Sequence, residues 1–393
     1  MSRILSCIVL FTALAGAQSN DAGAYLMSLG SGTNMSPAAA TMPMLMRGAG
    51  SWSLMFMGEA FIVDTQQSGP RGGDKLYSTN WAMGEASHDL WGGAFMFQLM
   101  LSLEPATVTN RSYPLLFQTG ETAYGRPLID AQHPHNLLMG AGFHYAHPLG
   151  EHAIGEIYYA PVGDPAIGPQ AYPHRPSAAE IPQAPLGHHW QDSTHIAYNV
   201  ATIAVKRDWL RLEASGFYGT EPGENRWTIG WGPMNSYSAR VSVFPNRHWM
   251  AQASAGRLTR PERQSLGDVV RSTASLEYSG GGVNTSLIWG RDHDTLTQHN
   301  LNSYLAETVI PFRTRNFFTA RWELVDKDEL FASGNIYRIG EYLAGYTRDI
   351  ATISGIETGI GANAALYTLP DSIKPFYGDH PWGVSLYLRL RLK

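Results

Sequence analysis

The stretch Ala94-Phe95-Met96-Phe97-Gln98-Leu99-Met100-Leu101-Ser102-Leu103 decides the fold. Phe95, Phe97, Leu99, Leu101 and Leu103 are all large and apolar, whereas the intervening Met96, Gln98, Met100 and Ser102 are mixed. Successive side chains of a β-strand project to opposite faces, so this strand has one uniformly apolar face and one that is not. The same period of two recurs along the chain. Leu210, Leu212 and Ala214 alternate with Arg211, Glu213 and Ser215. Val270, Ala274, Leu276 and Tyr278 alternate with Arg271, Thr273, Ser275 and Glu277, and Phe318, Ala320, Trp322 and Leu324 with Thr319, Arg321 and Glu323. Near the C-terminus Val384, Leu386, Leu388, Leu390 and Leu392 alternate with Ser385, Tyr387, Arg389 and Arg391. Helical periodicity is weak, and no run beyond Ala17 approaches the roughly 18 apolar residues of a helical membrane span.

Soluble sandwiches alternate too, but their connections follow no order. In a transmembrane barrel the apolar face meets lipid, the polar face lines the lumen, and short turns alternate with long loops. Here short turns are expected near Asp89, Gly150, Asp208, Asn246, Gly281, Asn316 and Asp349, separated by longer segments near 64–75, 105–136, 163–194, 220–234, 258–267, 292–300, 327–334 and 369–382. The fold class is therefore all-β, a transmembrane antiparallel up-and-down β-barrel of about 16 strands with both termini periplasmic. Closure also removes the exposed strand edges that so long a β-chain would otherwise present. Trp209, Tyr218, Trp249, Tyr278, Trp289 and Tyr304 fall near strand ends, as girdle aromatics do. The chain ends Leu392-Lys393, without the terminal aromatic common in such barrels.

The N-terminus points to the same compartment. Arg3, the apolar run Ile4 to Leu14, and Ala15-Gly16-Ala17 form a signal peptide over 1–17, which implies export. Its removal takes away Cys7, the chain's one cysteine, and with it disulfides, thiolate metal sites and cysteine nucleophiles. Residues 18–50 read as a flexible Met-rich periplasmic segment and 51–393 as the barrel. A net charge of −5 offers no basic footprint for nucleic acid. The expected partners are outer-membrane lipid, the barrel assembly machinery and a metal ion.

Two clusters of metal-ligating residues stand out. Met27, Met35, Met42, Met44, Met46, Met55 and Met57 are half of the 14 methionines, and Met42, Met44 and Met46 alternate along one segment. Thioethers suit Cu(I), although methionine also serves as adaptable packing, the simpler reading for Met55 and Met57 on the first strand. Nine of the 14 histidines lie between 133 and 195. Asp130, His133 and His135 end one long loop; His188, His189, Asp192 and His195 end the next. Neighbouring hairpins can bring these imidazoles and carboxylates together, a set suited to Cu(II), Zn(II) or Ni(II). Copper is thus a candidate cofactor or cargo. His144, His147 and His152 flank a short turn and read as structural. His189, Asp192, Ser193 and His195 contain the residue types of a serine hydrolase, but Ser193 has no nucleophile-elbow context, and the chain is not expected to be an enzyme. The proline-rich stretch from Gly163 to Pro185 is stiff enough to fold inward as a plug, and the mixed charges of the lumen strands can fill a pore with ion pairs.

The segments Gln67–Lys75, Ser78-Thr79-Asn80-Trp81, Leu101–Pro105, Gln118–Thr122, His133-Pro134-His135 and His188–His195 resemble a family of uncharacterised bacterial outer-membrane β-barrel proteins. Its members travel with copper- and heavy-metal-handling systems. The Met-rich lead before a barrel is similar also to copper-resistance outer-membrane protein B, without that family's repeated His/Met blocks. These resemblances imply binding or transport of a transition metal. The alternative is a general porin or structural barrel whose histidines only brace its loops; a lipid-active hydrolase is a third reading.

Overall fold

In the computed structural model the described residues are 21–193, 197–262 and 267–393; the expected signal peptide and His195 lie outside them. The strands are β1 (Leu45–Ala49), β2 (Trp52–Gln67), β3 (Asp74–Leu90), β4 (Gly93–Leu101), β5 (Tyr113–Ala123), β6 (Arg126–Gln132), β7 (Leu138–Pro148), β8 (Ala153–Gly163), β9 (Ala197–Arg207) and β10 (Leu210–Tyr218). They continue with β11 (Ser236–Asn246), β12 (Trp249–Leu258), β13 (Val269–Gly280), β14 (Val283–Asp294), β15 (Asn300–Phe312), β16 (Asn316–Lys327), β17 (Tyr337–Ile353), β18 (Ile356–Thr368) and β19 (Trp382–Leu392). β2 to β4 and β7 to β19 form a closed sixteen-stranded antiparallel barrel, in which neighbours in space are neighbours in sequence once the β5–β6 hairpin is set aside. Closure is made by β19 on β2, from Gly383↔Gln67 to Arg391↔Glu59. β1 continues the same edge of β2, with Ala49 opposite Trp52.

Seven short turns, at 91–92, 149–152, 208–209, 247–248, 281–282, 313–315 and 354–355, alternate with eight longer connections, as the sequence leads one to expect. One turn is displaced. Asp349 does not turn the chain; it lies within β17, beside an irregularity in the pairing with β18, and accepts from Arg389. The reversal comes at Ser354-Gly355, both with positive φ, the geometry that matches strand twist in two-residue hairpins.

The alternation sorts the side chains as the pattern requires. Met96, Gln98 and Met100 are buried inside, while Phe95, Phe97 and Leu99 lie on the outer face. Ile157, Ile203, Leu212, Leu287, Phe318, Tyr342, Ile360 and Leu386 continue an exposed apolar belt around the barrel. A belt of this extent far exceeds the isolated apolar patches of a soluble monomer.

The inner face is charged, and many of its charges are paired. Arg211 bridges Glu156 at 2.7 Å and Glu213 at 3.4 Å, and Arg240 reaches Glu213 at 2.8 Å. Arg389 contacts Glu180, Asp349 and Glu357. Such networks are strongly destabilising to break one partner at a time, because the remaining charge stays buried.

Three segments fill the lumen. The lead, expected to be flexible, is instead packed inside: α1 (Ala22–Leu26), capped by Asp21, buries Tyr25 and Leu26 against Met96, Ala146 and Ile154. Tyr25 donates to Glu156 at 2.7 Å, Thr33 donates to Glu213 at 2.7 Å, and Gln98 donates to the Gly30 carbonyl at 2.8 Å. The inward polar groups of the wall give the lead partners that composition alone did not reveal. The connection after β8 also folds inward, as its prolines suggest. Arg175 meets Glu307 at 2.6 Å, the Leu186 and Gly187 amides donate to Glu323 at 2.9 and 3.0 Å, and Lys327 donates to the Leu186 carbonyl at 2.7 Å. The β5–β6 hairpin caps the loop end, with Leu115, Leu116 and Phe117 packed on Val325, Ile339 and Tyr377.

Candidate metal centre

His188 and His189 open α3 (His188–Gln191), a single helical turn within the plug loop. The loop is braced by Gln191, which donates to Ser303 on the wall at 2.6 Å. His133 arrives from the chain leaving β6. The three imidazoles converge, one ligand nitrogen of each lying within 4.8 Å of the others. The ring centroids of His188 and His189 are 4.3 Å apart, and those of His133 and His189 5.8 Å. The Pro185 carbonyl lies 2.6 Å from His188 Nδ1 and the Pro134 carbonyl 3.1 Å from His133 Nδ1. A carbonyl can only accept, so in both rings Nδ1 carries the proton and Nε2 the ligating lone pair.

The electrostatics favour neutral rings. Burial pushes His133 down to about 4, and burial together with the charge of its neighbours holds His188 and His189 well below the ordinary value. Neutral imidazole is the form that binds metal. Carboxylates stand beside the rings: Glu121, itself paired with Arg226, at 3.2 Å from His133 Nε2, and Glu221 at 3.8 Å and Glu262 at 3.9 Å from His189 Nδ1. His189, Glu221 and Glu262 form a second compact group. Glu221 is pushed up by burial and by Glu262, an arrangement that a bound dication or a shared proton relieves. The site is a three-histidine pocket with carboxylates at its border, chemistry suited to Zn(II), Cu(II) or Ni(II).

Gly120 makes room for it. A Cβ there would lie 2.5 Å from His189 Cε1, and its φ of +115° is one that other residues rarely adopt.

The remaining expected ligands go elsewhere. Asp130 meets Arg71 at 2.8 Å and accepts from the Phe117 amide at 2.7 Å, so an arginine takes the place of a metal. His135 is drawn to Glu104, with Nδ1 at 2.9 Å and the backbone amide at 2.8 Å from its two oxygens. Asp192 is buried in the plug, but its carboxylate is not among the groups that converge within the described residues. Met42, Met44 and Met46 do not form one site either. Met42 packs partly on the inner methionines, whereas Met44 and Met46 are exposed where the chain enters β1. Glu121, Glu221 and Glu262 were not singled out as ligands from sequence. Glu121 lies in the Gln118–Thr122 segment, while Glu221 stands in a turn-rich loop whose place beside His189 depends on the path of the whole loop. Ser193 is buried and donates to Asp164 at 2.9 Å.

No protein-family model matches the chain, and no curated protein matches it in sequence. Solved structures do match in fold. An anion-selective porin from Comamonas acidovorans has a TM-score of 0.55 at 13% identity, the match covering 87% of this chain and 100% of the porin. OmpF of Salmonella typhi, solved with daunomycin, also scores 0.55 at 9% identity, covering 88% of this chain and 100% of its own. A loop L8 deletion mutant of OmpT, an outer membrane protein of Vibrio cholerae, scores 0.52 at 9% identity, with coverages of 87% and 99%. The chain therefore shares the barrel fold of these outer-membrane proteins, with a histidine pocket built into the loops that fill its sixteen-stranded wall.

Proposed function

We propose that this chain is a porin-type barrel of the bacterial outer membrane whose lumen is closed by its own plug, so that solutes pass only when the plug moves. The observation that carries the reading is the combination of an apolar outer belt with a charged, paired inner wall. Backbone groups in lipid must be satisfied internally, which a closed barrel does, and its outer face must be apolar. The short-turn end, where both β2 begins and β19 ends, is then the periplasmic side. Lipid is the solvent of the belt, and insertion calls for the barrel assembly machinery. The cationic and apolar start of the chain fits export.

The test is conductance of the full chain in planar bilayers. Small, infrequent openings in the native protein, and large steady ones when residues 170–190 are excised, are expected. A wide steady pore in the native protein would refute the closed state, and silence in both would leave a structural barrel.

A second reading, binding or transport of a transition metal with copper first, is favoured by one observation, the convergence of His133, His188 and His189. It also agrees with the resemblance to copper-associated barrels. Titration with Zn(II) and Cu(II), repeated after replacing all three histidines with alanine, tests it; unchanged binding would remove it.

A further inference from the structure

Three methionines stand side by side on the inner wall, away from the histidine pocket. Met57 on β2 is opposite Met83 on β3, and Met83 is opposite Met100 on β4. Side chains directly opposed in antiparallel strands have Cβ atoms about 4.5–5.5 Å apart, so the three thioethers form a row. All three are buried, and Met55, Met139 and Trp81 belong to the same cluster. The plug loop brings an imidazole to this row: His174 Nε2 lies 3.1 Å from Met100 Sδ. The same ring packs edge-on against Trp81, with centroids 4.1 Å apart. His174 is 3% exposed, and among the described residues its Nδ1 has no hydrogen-bond partner. Burial pushes it down to about 3, so the ring is neutral.

Methionine sulfur packs favourably beside aromatic rings, and the imidazole of His174 adds a ring nitrogen within hydrogen-bond distance of one of them. Here a ring nitrogen is aimed at a thioether, inside a cluster that also holds an indole. Thioether sulfur is a soft donor, neutral imidazole a borderline one, and an indole face attracts a cation through its quadrupole. Glu59 and Glu85 lie on the same inner face, opposite Trp81 and Met55 respectively.

We propose that Met57, Met83, Met100 and His174 form a binding site for a soft monovalent cation, Cu(I) or Ag(I), with Trp81 as a cation–π wall. The ligand set has no hard donor, so Zn(II) and Ca(II) are poor occupants. The site deepens the transition-metal reading but uses no residue of the three-histidine pocket. It does not require that the barrel conduct.

The experiment uses the full chain in detergent, titrated with Cu(I) against a chromophoric chelator under reducing, anaerobic conditions, with Zn(II) in parallel. Met→Leu exchange at 57, 83 and 100 together conserves volume. In a variant whose circular dichroism and heat-modifiable gel mobility match the native barrel, Cu(I) affinity should fall by more than about 100-fold, beyond the loss usual for an outer-shell partner. Zn(II) binding should be unchanged in that variant. Replacing His133, His188 and His189 with alanine should spare Cu(I). Unaltered Cu(I) affinity in the folded leucine variant would overturn the site, as would loss of Cu(I) with the three histidines alone. If the leucine variant does not fold, X-ray absorption of the Cu(I)-loaded native protein decides: sulfur scattering supports the site and nitrogen or oxygen alone refutes it.

Discussion

Arg175, carried into the lumen by the plug loop, holds its Nε 2.6 Å from Oε1 of Glu307 on wall strand β15. The other oxygen of Glu307 takes Nε of Arg321, from the neighbouring strand, at 3.0 Å. One wall carboxylate therefore serves both the wall and the plug. Its removal leaves Arg175 without its ion-pair partner and takes the nearest carboxylate from Arg321, whereas removal of Arg175 leaves Glu307 still paired. Breaking a buried pair typically costs about 3–5 kcal/mol. Glu307→Ala should therefore free the plug and raise single-channel conductance well above the native level, and Arg175→Ala should do so less. Equal conductance in all three proteins would show that the plug is held by other contacts.

The lead closes the short-turn end of the lumen through Tyr25 and Glu156, 2.7 Å apart, and through Thr33 and Glu213. Deleting 21–43 alone should leave conductance low, because the loop after β8 still fills the middle. The same deletion in the Glu307→Ala background should raise conductance beyond Glu307→Ala by itself. Bilayer recordings of the two proteins compare these directly.

Asp164 begins the plug loop as a buried carboxyl, and burial is the main reason its pKa rises from 3.8 to about 7. Between those values the packed loop keeps a proton that the released loop gives up. The packed state therefore loses this contribution as pH rises towards about 7. Opening frequency should rise as pH climbs from about 4 to about 7 in the native protein and level off above that. Asp164→Asn, which imitates the protonated carboxyl, should flatten that dependence.

Gly120→Ala places a methyl group where His189 now lies, 2.5 Å from Cε1. All three imidazoles remain, but the pocket loses its alignment. Zn(II) affinity should fall roughly 10- to 100-fold, the range seen when a ligand is mis-set by its surroundings. Isothermal titration against the native protein measures this, with the barrel's circular dichroism unchanged.

Ile203 on β9 is 65% exposed and lies opposite Ile157 on β8, in the outer apolar belt. Ile203→Arg should destabilise the barrel in phospholipid by up to about 2–4 kcal/mol, the cost of arginine near the bilayer midplane. Urea titration in vesicles reads the loss. A neutral result would place the belt outside the hydrocarbon.

The barrel was legible in the sequence because alternation is a local property: Phe95, Phe97 and Leu99 against Met96, Gln98 and Met100 need no partner strand to be recognised. Asp349 misled because an aspartate in a turn and an aspartate paired with a buried arginine look alike until Arg389 is placed. The histidine pocket was legible in part. His188 and His189 are adjacent and His133 lies in the preceding loop, but Asp130 and His135 were claimed by Arg71 and Glu104, which only the folded loops bring near. The row Met57, Met83 and Met100 could not be read, since its members belong to three strands and meet only through their register. From sequence Met55 and Met57 read as packing residues, a description that their burial fits but that leaves His174 unexplained.

The seam between β19 and β2 joins Arg391 to Glu59 and Gly383 to Gln67, residues separated by most of the polypeptide. The cylinder cannot shut until the last segment has been made, and until then the sheet is open along one side. That gap is a door for the lead and the plug, which can take their places laterally while the wall is still a curved sheet. Once the final strand docks, the contents are enclosed, and any later exit runs only through the two mouths. The connectivity thus allows this vessel to be packed before it is sealed.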